Sequence, residues 1–206
     1  MRALATRPPR STAFIERYRA DQRAAGRDDR VQWIWVAYPA ISTDIKRAVL
    51  VAEDIRLLRS RRVRPRRGGG RIRARRRAEG AARGASTITQ QLAKNLWLTP
   101  SRSPSARCGK RSSRGRSSST LTKRRILELY LNVAEFGPGC YGVEAAARRY
   151  FGKSAADVGS AEAAQLAASL PNPRLWHPGS TSRAYQSYVT RIARRVERAD
   201  WLGRLL

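Results

Sequence analysis

The stretch GASTITQQLAKNLW, residues 84–97, places several hydrogen-bonding side chains on one short amphipathic segment. They are two adjacent glutamines, Gln90 and Gln91, followed by Lys94 and Asn95. Amides donate hydrogen bonds to oxygen atoms and lysine adds a positive charge, so this face has the chemistry to hold a ligand. The pattern alone leaves a second reading open, because most such side chains simply form the solvated face of a helix.

A second candidate for chemistry is Glu53. The segment IKRAVLVAED places Ile45, Ala48, Val49 and Ala52 at helical spacing, and Glu53 follows at the end of that apolar face. A carboxylate in that position is partly desolvated, which favours its neutral form. Taken alone, an exposed glutamate at a helix end is the ordinary interpretation.

The elements that must position these residues are mostly helical. STITQQLAKNLWL has Ser86 as its predicted N-cap and an apolar stripe four residues apart, formed by Ile88, Leu92 and Leu96. TKRRILELYLNVAEF repeats the pattern with Thr122 as its cap, and three further helical segments follow towards residue 206. Only VQWIWVAY, with Trp33 and Trp35 alternating, predicts a short strand. We therefore expect a mostly α, single domain over residues 1–206.

Composition limits the classes of function. The 206 residues are 41% hydrophobic, enough for one core, and a net charge of +28 favours an anionic partner: nucleic acid, anionic lipid or a phosphorylated substrate. The single histidine, His177, lies in a Pro- and Gly-rich loop, which argues against Ser-His-Asp and Cys-His catalysis. The sequence has two cysteines and no CxxC motif, which argues against a zinc site. It contains no run of 18 apolar residues of the kind that predicts a membrane span.

The positive charge is concentrated in two anomalous stretches. Residues 55–83 contain thirteen arginines and one acid, and residues 101–119 contain eight serines, six basic residues and no acid. Neither stretch has the apolar pattern needed to cover a core. They interrupt a chain that is otherwise patterned as a helical protein.

The motifs resemble those of the peptidoglycan glycosyltransferase family, in particular its monofunctional members. The family's second motif, Gly-x-Ser-Thr-Ile-Thr-Gln-Gln, is matched at all seven specified positions from Gly84 to Gln91. Its fourth motif, Lys-x-x-Ile-x-x-x-Tyr-x-Asn, is matched by Lys123, Ile126, Tyr130 and Asn132. NVAEFGPGCYGVEAAARRYFGK and RAVLVAED are also similar to family sequences, and the resemblance extends from Arg7 onward.

The resemblance implies a lysozyme-like helical glycosyltransferase domain whose substrates are lipid II and the growing glycan strand. It assigns the general base to Glu53. Judged as a residue type, Tyr130 is expected to pack, and Asn132 can be a structural cap as well as a ligand. The resemblance implies that the substrate is bound by Asp54, Ser86, Thr87, Gln90, Gln91, Lys94, Asn95, Arg107, Lys123 and Asn132. It implies no tightly bound cofactor, although a divalent cation, Mg²⁺ or Mn²⁺, could assist the diphosphate leaving group.

The resemblance also implies partners and a location. The family works at the membrane surface, on the periplasmic face of the bacterial inner membrane, and cell-wall transpeptidases are candidate partners. A basic nucleic-acid-binding protein is the weaker alternative, because neither arginine-rich stretch contains an aromatic residue on which bases could stack. A further alternative is a pseudoenzyme that binds glycan or lipid II without turnover.

Two family motifs are broken. After Glu53 and Asp54, the places where the first motif has Phe, His and Gly hold Leu57, Ser60 and Arg62. The third motif, Arg-Lys-x-x-Glu, falls at residues 106–110, which read Ala-Arg-Cys-Gly-Lys. Because the spacing between flanking motifs is preserved, we hypothesise that each stretch is translated out of frame. If the residues stand as written, we expect little or no activity; if they do not, we expect an ordinary polymerase.

Overall fold

The computed structural model describes residues 2–54, 57, 88–97 and 121–206. Apart from Leu57, the two anomalous stretches lie outside these residues. The same holds for three residues predicted to bind substrate, Ser86, Thr87 and Arg107. The hypothesis about the origin of the stretches therefore stays a prediction.

The described residues form seven α-helices and three very short strands, which confirms the mostly α prediction. The helices are α1 (Ala13–Ala24), α2 (Thr43–Glu53), α3 (Ile88–Trp97), α4 (Lys123–Val133), α5 (Val143–Phe151), α6 (Ser160–Ser169) and α7 (Arg183–Glu197). The strands are β1 (Gln32–Trp33), β2 (Glu135–Gly137) and β3 (Cys140–Tyr141), and 3₁₀ turns cover Arg2–Ala5, Tyr38–Ala40 and Asp200–Leu205.

Hydroxyl caps fix where the helices begin. The Thr122 side chain accepts a hydrogen bond from the Arg125 backbone N–H at 3.1 Å, as the sequence predicted for the start of α4. Ser42 caps α2 in the same way by accepting from the Ile45 N–H at 3.1 Å. Each cap satisfies a backbone donor that the first helical turn leaves free. The helix that Ser42 caps, α2, ends at Glu53.

The core forms around α2, which packs against α6 and α7, while α3 packs against α4. The inner face of α6 is built largely of alanine: Ala163, Ala164, Ala167 and Ala168 are all essentially inaccessible. Alanine favours helix and its small side chain allows two helix backbones to approach closely. On α3 the predicted stripe of Ile88, Leu92 and Leu96 is buried, which turns the intervening residues towards α2 and solvent.

The predicted strand is shorter than its alternating pattern suggested. Gln32 and Trp33 pair in parallel with β3, and β2 pairs with β3 antiparallel, but Trp35 lies beyond the ladder. The reason is a side chain: Asn132 accepts from the Val36 N–H at 2.8 Å and donates to the Val36 carbonyl at 2.9 Å. Backbone groups that would extend the strand are bound by this amide instead.

Gly142 allows the turn between β3 and α5 to approach α4. Its φ of 81° and ψ of 151° lie in a region that is essentially reserved for glycine. A β-carbon there would lie 2.7 Å from the backbone oxygen of Asn132, and backbone cannot move aside cheaply. Gly152, which ends α5 with a φ of 68°, has nothing within 4 Å of the same position.

This contrast predicts different costs for two matched substitutions. Gly152→Ala should lower the free energy of unfolding by about 1 to 2 kcal/mol, the cost of left-handed backbone for a residue with a β-carbon. Gly142→Ala should cost about 1 to 3 kcal/mol more, because a steric clash adds to the strain. Urea unfolding followed by circular dichroism measures both. Equal losses would mean that the contact with the Asn132 carbonyl does not constrain the fold.

Candidate active site

Glu53 is the last residue of α2 and is half-buried, as its position after the apolar face predicted. Asp54 ends the helix, with its N–H donating to the Leu50 carbonyl at 3.0 Å. Its own carbonyl accepts from the N–H of Leu57, which is buried in the core. Leu57 thus places an apolar side chain in the core at the position where the family's first motif has a phenylalanine.

The Glu53 carboxylate is bound by the amide of Gln91. Gln91 Nε2 donates to Glu53 Oε2 at 2.5 Å, and the Tyr130 hydroxyl donates to Gln91 Oε1 at 2.7 Å. Three helices therefore meet in one chain of hydrogen bonds, because α2, α3 and α4 each supply one member. Gln91 is the member of the predicted amide face that points to the carboxylate.

Burial dominates the electrostatics of the site. It raises the pKa of Glu53, the Gln91 hydrogen bond opposes the rise, and the neighbouring charge of Asp54 adds to it. Burial also raises the pKa of Tyr130 well above its ordinary value, with further contributions from Glu53 and Tyr188. A carboxylate held with a raised pKa in a site that still reaches solvent suits proton abstraction near neutral pH.

The rest of the amide face of α3 points elsewhere. Gln90 and Lys94 are exposed and Asn95 is half-buried. The Lys94 ammonium lies 5.8 Å from the centre of the Phe14 ring on α1. The face therefore divides into one amide that serves Glu53 and three side chains near the surface.

The two matched polar residues of α4 lie at opposite ends of that helix. Lys123 is its first residue and is half-buried, whereas Asn132 lies nine residues on, which is about 13 Å along the helix axis. Asn132 is fully buried, and its amide bonds both backbone groups of Val36 and the Glu128 carbonyl. This burial and bonding fit the structural role that the sequence leaves open for Asn132, and its contact with substrate stays a prediction.

Sequence reasoning missed the hydrogen bond made by one tyrosine and the position of another near Glu53. Tyr130 does pack, at 1% exposure, but its hydroxyl also holds Gln91. Tyr188 on α7 is half-buried beside Trp176, with ring centres 5.9 Å apart. Burial raises the pKa of its hydroxyl, and the nearby Glu53 carboxylate adds to the rise. The motif match pointed to Tyr130, whereas no local pattern distinguishes Tyr188 from an ordinary packing tyrosine.

The described residues lack both a metal-binding cluster and a membrane-spanning helix. They contain no group of three His, Cys, Asp or Glu side chains that could hold a metal ion. Within these same ranges, no helix is both long and apolar enough to cross a membrane.

The electrostatics of Glu53 predict how its removal changes stability with pH. The pKa of Glu53 is higher in the folded state than its ordinary value of 4.5. The wild-type free energy of unfolding therefore falls as pH rises from below 4.5 through the folded-state pKa, because the carboxyl group ionises more easily in the unfolded chain. Glu53→Gln does not ionise at this position, so the difference in free energy of unfolding between the variant and wild type should shift in favour of the variant from pH 4 to pH 8. Urea unfolding at both pH values checks this, with Glu16→Gln on the exposed face of α1 as the reference for losing a surface carboxylate. A difference that does not grow with pH would contradict the desolvation of Glu53.

Comparison with known proteins identifies the family. The transglycosylase family model matches residues 21–197. A biosynthetic peptidoglycan transglycosylase of Thiobacillus denitrificans is 44% identical over 195 residues, covering 90% of this chain and 80% of the relative. Proteins of the same name from Bordetella avium and Aromatoleum aromaticum are 38% and 44% identical, covering 95% and 81% of this chain and 83% and 72% of theirs. The chain therefore belongs to the transglycosylase family and is a glycosyltransferase.

Proposed function

We propose that this chain is a peptidoglycan glycosyltransferase that polymerises lipid II into glycan strands, with Glu53 as the general base. The observation that carries the assignment of the base is its setting: a half-buried carboxylate at the end of α2, bound by the Gln91 amide. The full match to the second family motif supports the same reaction, as do the names of the relatives.

The reaction needs a base beside the attacking hydroxyl and positive charge beside the leaving diphosphate. A hydroxyl of the acceptor, lipid II, attacks the anomeric carbon of the growing strand, and its proton passes to Glu53. The bond between that carbon and the diphosphate oxygen breaks with inversion, and polyprenyl diphosphate leaves. The desolvation that raises the pKa of Glu53 makes it a stronger base than an exposed glutamate.

The leaving diphosphate gathers negative charge that needs cationic side chains. We assign this role to Lys94 and Lys123, and to Arg107, which lies outside the described residues. Gln90, Asn95 and Asp54 are assigned to sugar hydroxyls, as are Ser86 and Thr87, also outside them. A divalent cation would add to the same stabilisation, but the described residues supply no group of three His, Cys, Asp or Glu ligands for it.

The substrate places the enzyme at a membrane. Lipid II carries a polyprenyl chain, so a chain that uses it must meet the membrane surface, and the family implies the periplasmic face of the inner membrane. The positive charge of the protein suits an anionic lipid surface. Its product is an uncrosslinked strand, which a cell-wall transpeptidase would consume. No observation favours a specific nucleic acid.

The assignment of the base predicts the effect of one substitution. Glu53→Gln should reduce the rate of lipid II polymerisation by about 100-fold or more, because a positioned base contributes a factor of that order. Glycan products separated by electrophoresis measure the rate. Glu16→Gln, which removes an exposed carboxylate from α1, should keep the wild-type rate.

Two outcomes would contradict the proposal in different ways. Wild-type polymerisation by Glu53→Gln would mean that another group takes the proton. Binding of lipid II without any polymerisation by the wild-type chain would favour the pseudoenzyme alternative and would fit the loss of the Arg-Lys-x-x-Glu motif at residues 106–110.

A further inference from the structure

The amide of Gln91 has only two hydrogen-bond partners among the described residues, and they require opposite ends of it. The Glu53 carboxylate needs a donor, so it takes Nε2, and the Tyr130 hydroxyl donates to Oε1. The two ends of a glutamine amide have nearly the same shape, so partners and not packing decide which way it points. Its orientation is therefore set by the groups at either side.

We propose that Tyr130 fixes the orientation of the Gln91 amide and that Gln91 in turn holds the Glu53 carboxylate ready for base catalysis. This makes Gln91 and Tyr130 positioning residues, which act on the reaction through Glu53. The inference rests on the proposed function for its catalytic meaning, but the hydrogen-bond chain itself does not depend on it.

A reversed Gln91 amide shows why this series of hydrogen bonds favours the ionised form of Glu53. With Oε1 towards Glu53, the two oxygens would repel unless the carboxyl were protonated and donated its own hydrogen. At the other end, Nε2 would donate to the Tyr130 hydroxyl, whose hydrogen would then need a new acceptor. Among the described residues the hydroxyl bonds only Gln91, so reversal would leave a buried donor without an acceptor there. That cost keeps the amide donating to the carboxylate.

Burial and the Gln91 hydrogen bond have opposite effects on the pKa of Glu53, and this opposition is what the hydrogen bond contributes to catalysis. Burial strengthens the base but also favours its protonated form, which cannot accept a proton. The hydrogen bond from Gln91 favours the ionised form and so limits that effect. Burial and the Gln91 hydrogen bond thus act in opposite directions on the pKa of the same carboxyl group.

The helices hold the three groups rigidly. Gln91 lies between the buried Ile88 and Leu92 on α3, and Tyr130 is buried on α4, against which α3 packs. Side chains fixed on packed helices keep their geometry better than side chains on loops. The substrate-binding role predicted for Gln91 is not needed to explain its position.

A double-mutant cycle tests the inference. Gln91→Met keeps the length of the side chain and removes both hydrogen bonds, whereas Tyr130→Phe removes only the hydroxyl. The readout is the pKa of Glu53, followed by carbon-13 NMR of its labelled carboxyl group in the full chain. Each single variant should raise this pKa, and the double variant should match Gln91→Met alone, because Tyr130 acts through Gln91.

Kinetics supply a second readout. If Gln91 positions the base, Gln91→Met should lower kcat for polymerisation by about tenfold or more while KM for lipid II stays close to wild type. A rise in KM at unchanged kcat would overturn the positioning role in favour of substrate binding. Tyr185→Phe is the matched control. Tyr185 is also buried, but its hydroxyl donates to the Gln165 carbonyl at 3.1 Å and not to Gln91 or Glu53. It should leave the pKa of Glu53 unchanged.

The outcomes separate this inference from the proposed function. A Glu53 pKa that neither variant moves would overturn the positioning role even if the chain polymerises lipid II. A shift from Tyr130→Phe that persists in the Gln91→Met background would also overturn it, because Tyr130 would then act directly. The expected shifts in a protein that makes no glycan would uphold the hydrogen bonds from Tyr130 through Gln91 to Glu53 and reject the proposed function. Should Tyr130→Phe fail to fold, Gln91→Met still tests the contact with Glu53.

Discussion

The hydrogen bond from the Gln91 amide to the Glu53 carboxylate is the contact on which the site depends. It joins the end of α2 to the middle of α3 at a point where burial would otherwise favour a neutral carboxyl group. Without a donor at that position, the same burial that strengthens the base would raise its pKa further. The helices can thus be understood as a frame that brings one amide to one carboxylate.

Packing among the described helices builds that frame. α2 is held by α6 and α7, and the alanine face of α6 allows a close approach, while α3 is held by α4. Asn132 then ties the segment around Val36 to α4, and Gly142 allows the next turn to reach the same helix. Glu53, Gln91 and Tyr130 thus share one packed unit, whereas the broken first and third motifs fall mainly outside the described residues.

Sequence patterns predicted what is local. The Thr122 cap, the stripe on α3 and the place of Glu53 at the end of an apolar face all follow from helical spacing, and the structure confirms them. They could not predict that Tyr130 reaches Gln91 from 39 residues away, because periodicity says which face a residue occupies but not which helix it meets. The motif likewise marked Asn132 without showing that its amide replaces a strand partner.

The most direct test of the account is the pH dependence of kcat/KM for lipid II polymerisation, which reports the essential base of the free enzyme. We expect activity to fall at low pH with an apparent pKa above 4.5, the ordinary value for glutamate, because burial of Glu53 outweighs its hydrogen bond. An acid limb at or below 4.5, or none at all, would contradict a desolvated Glu53 acting as the base.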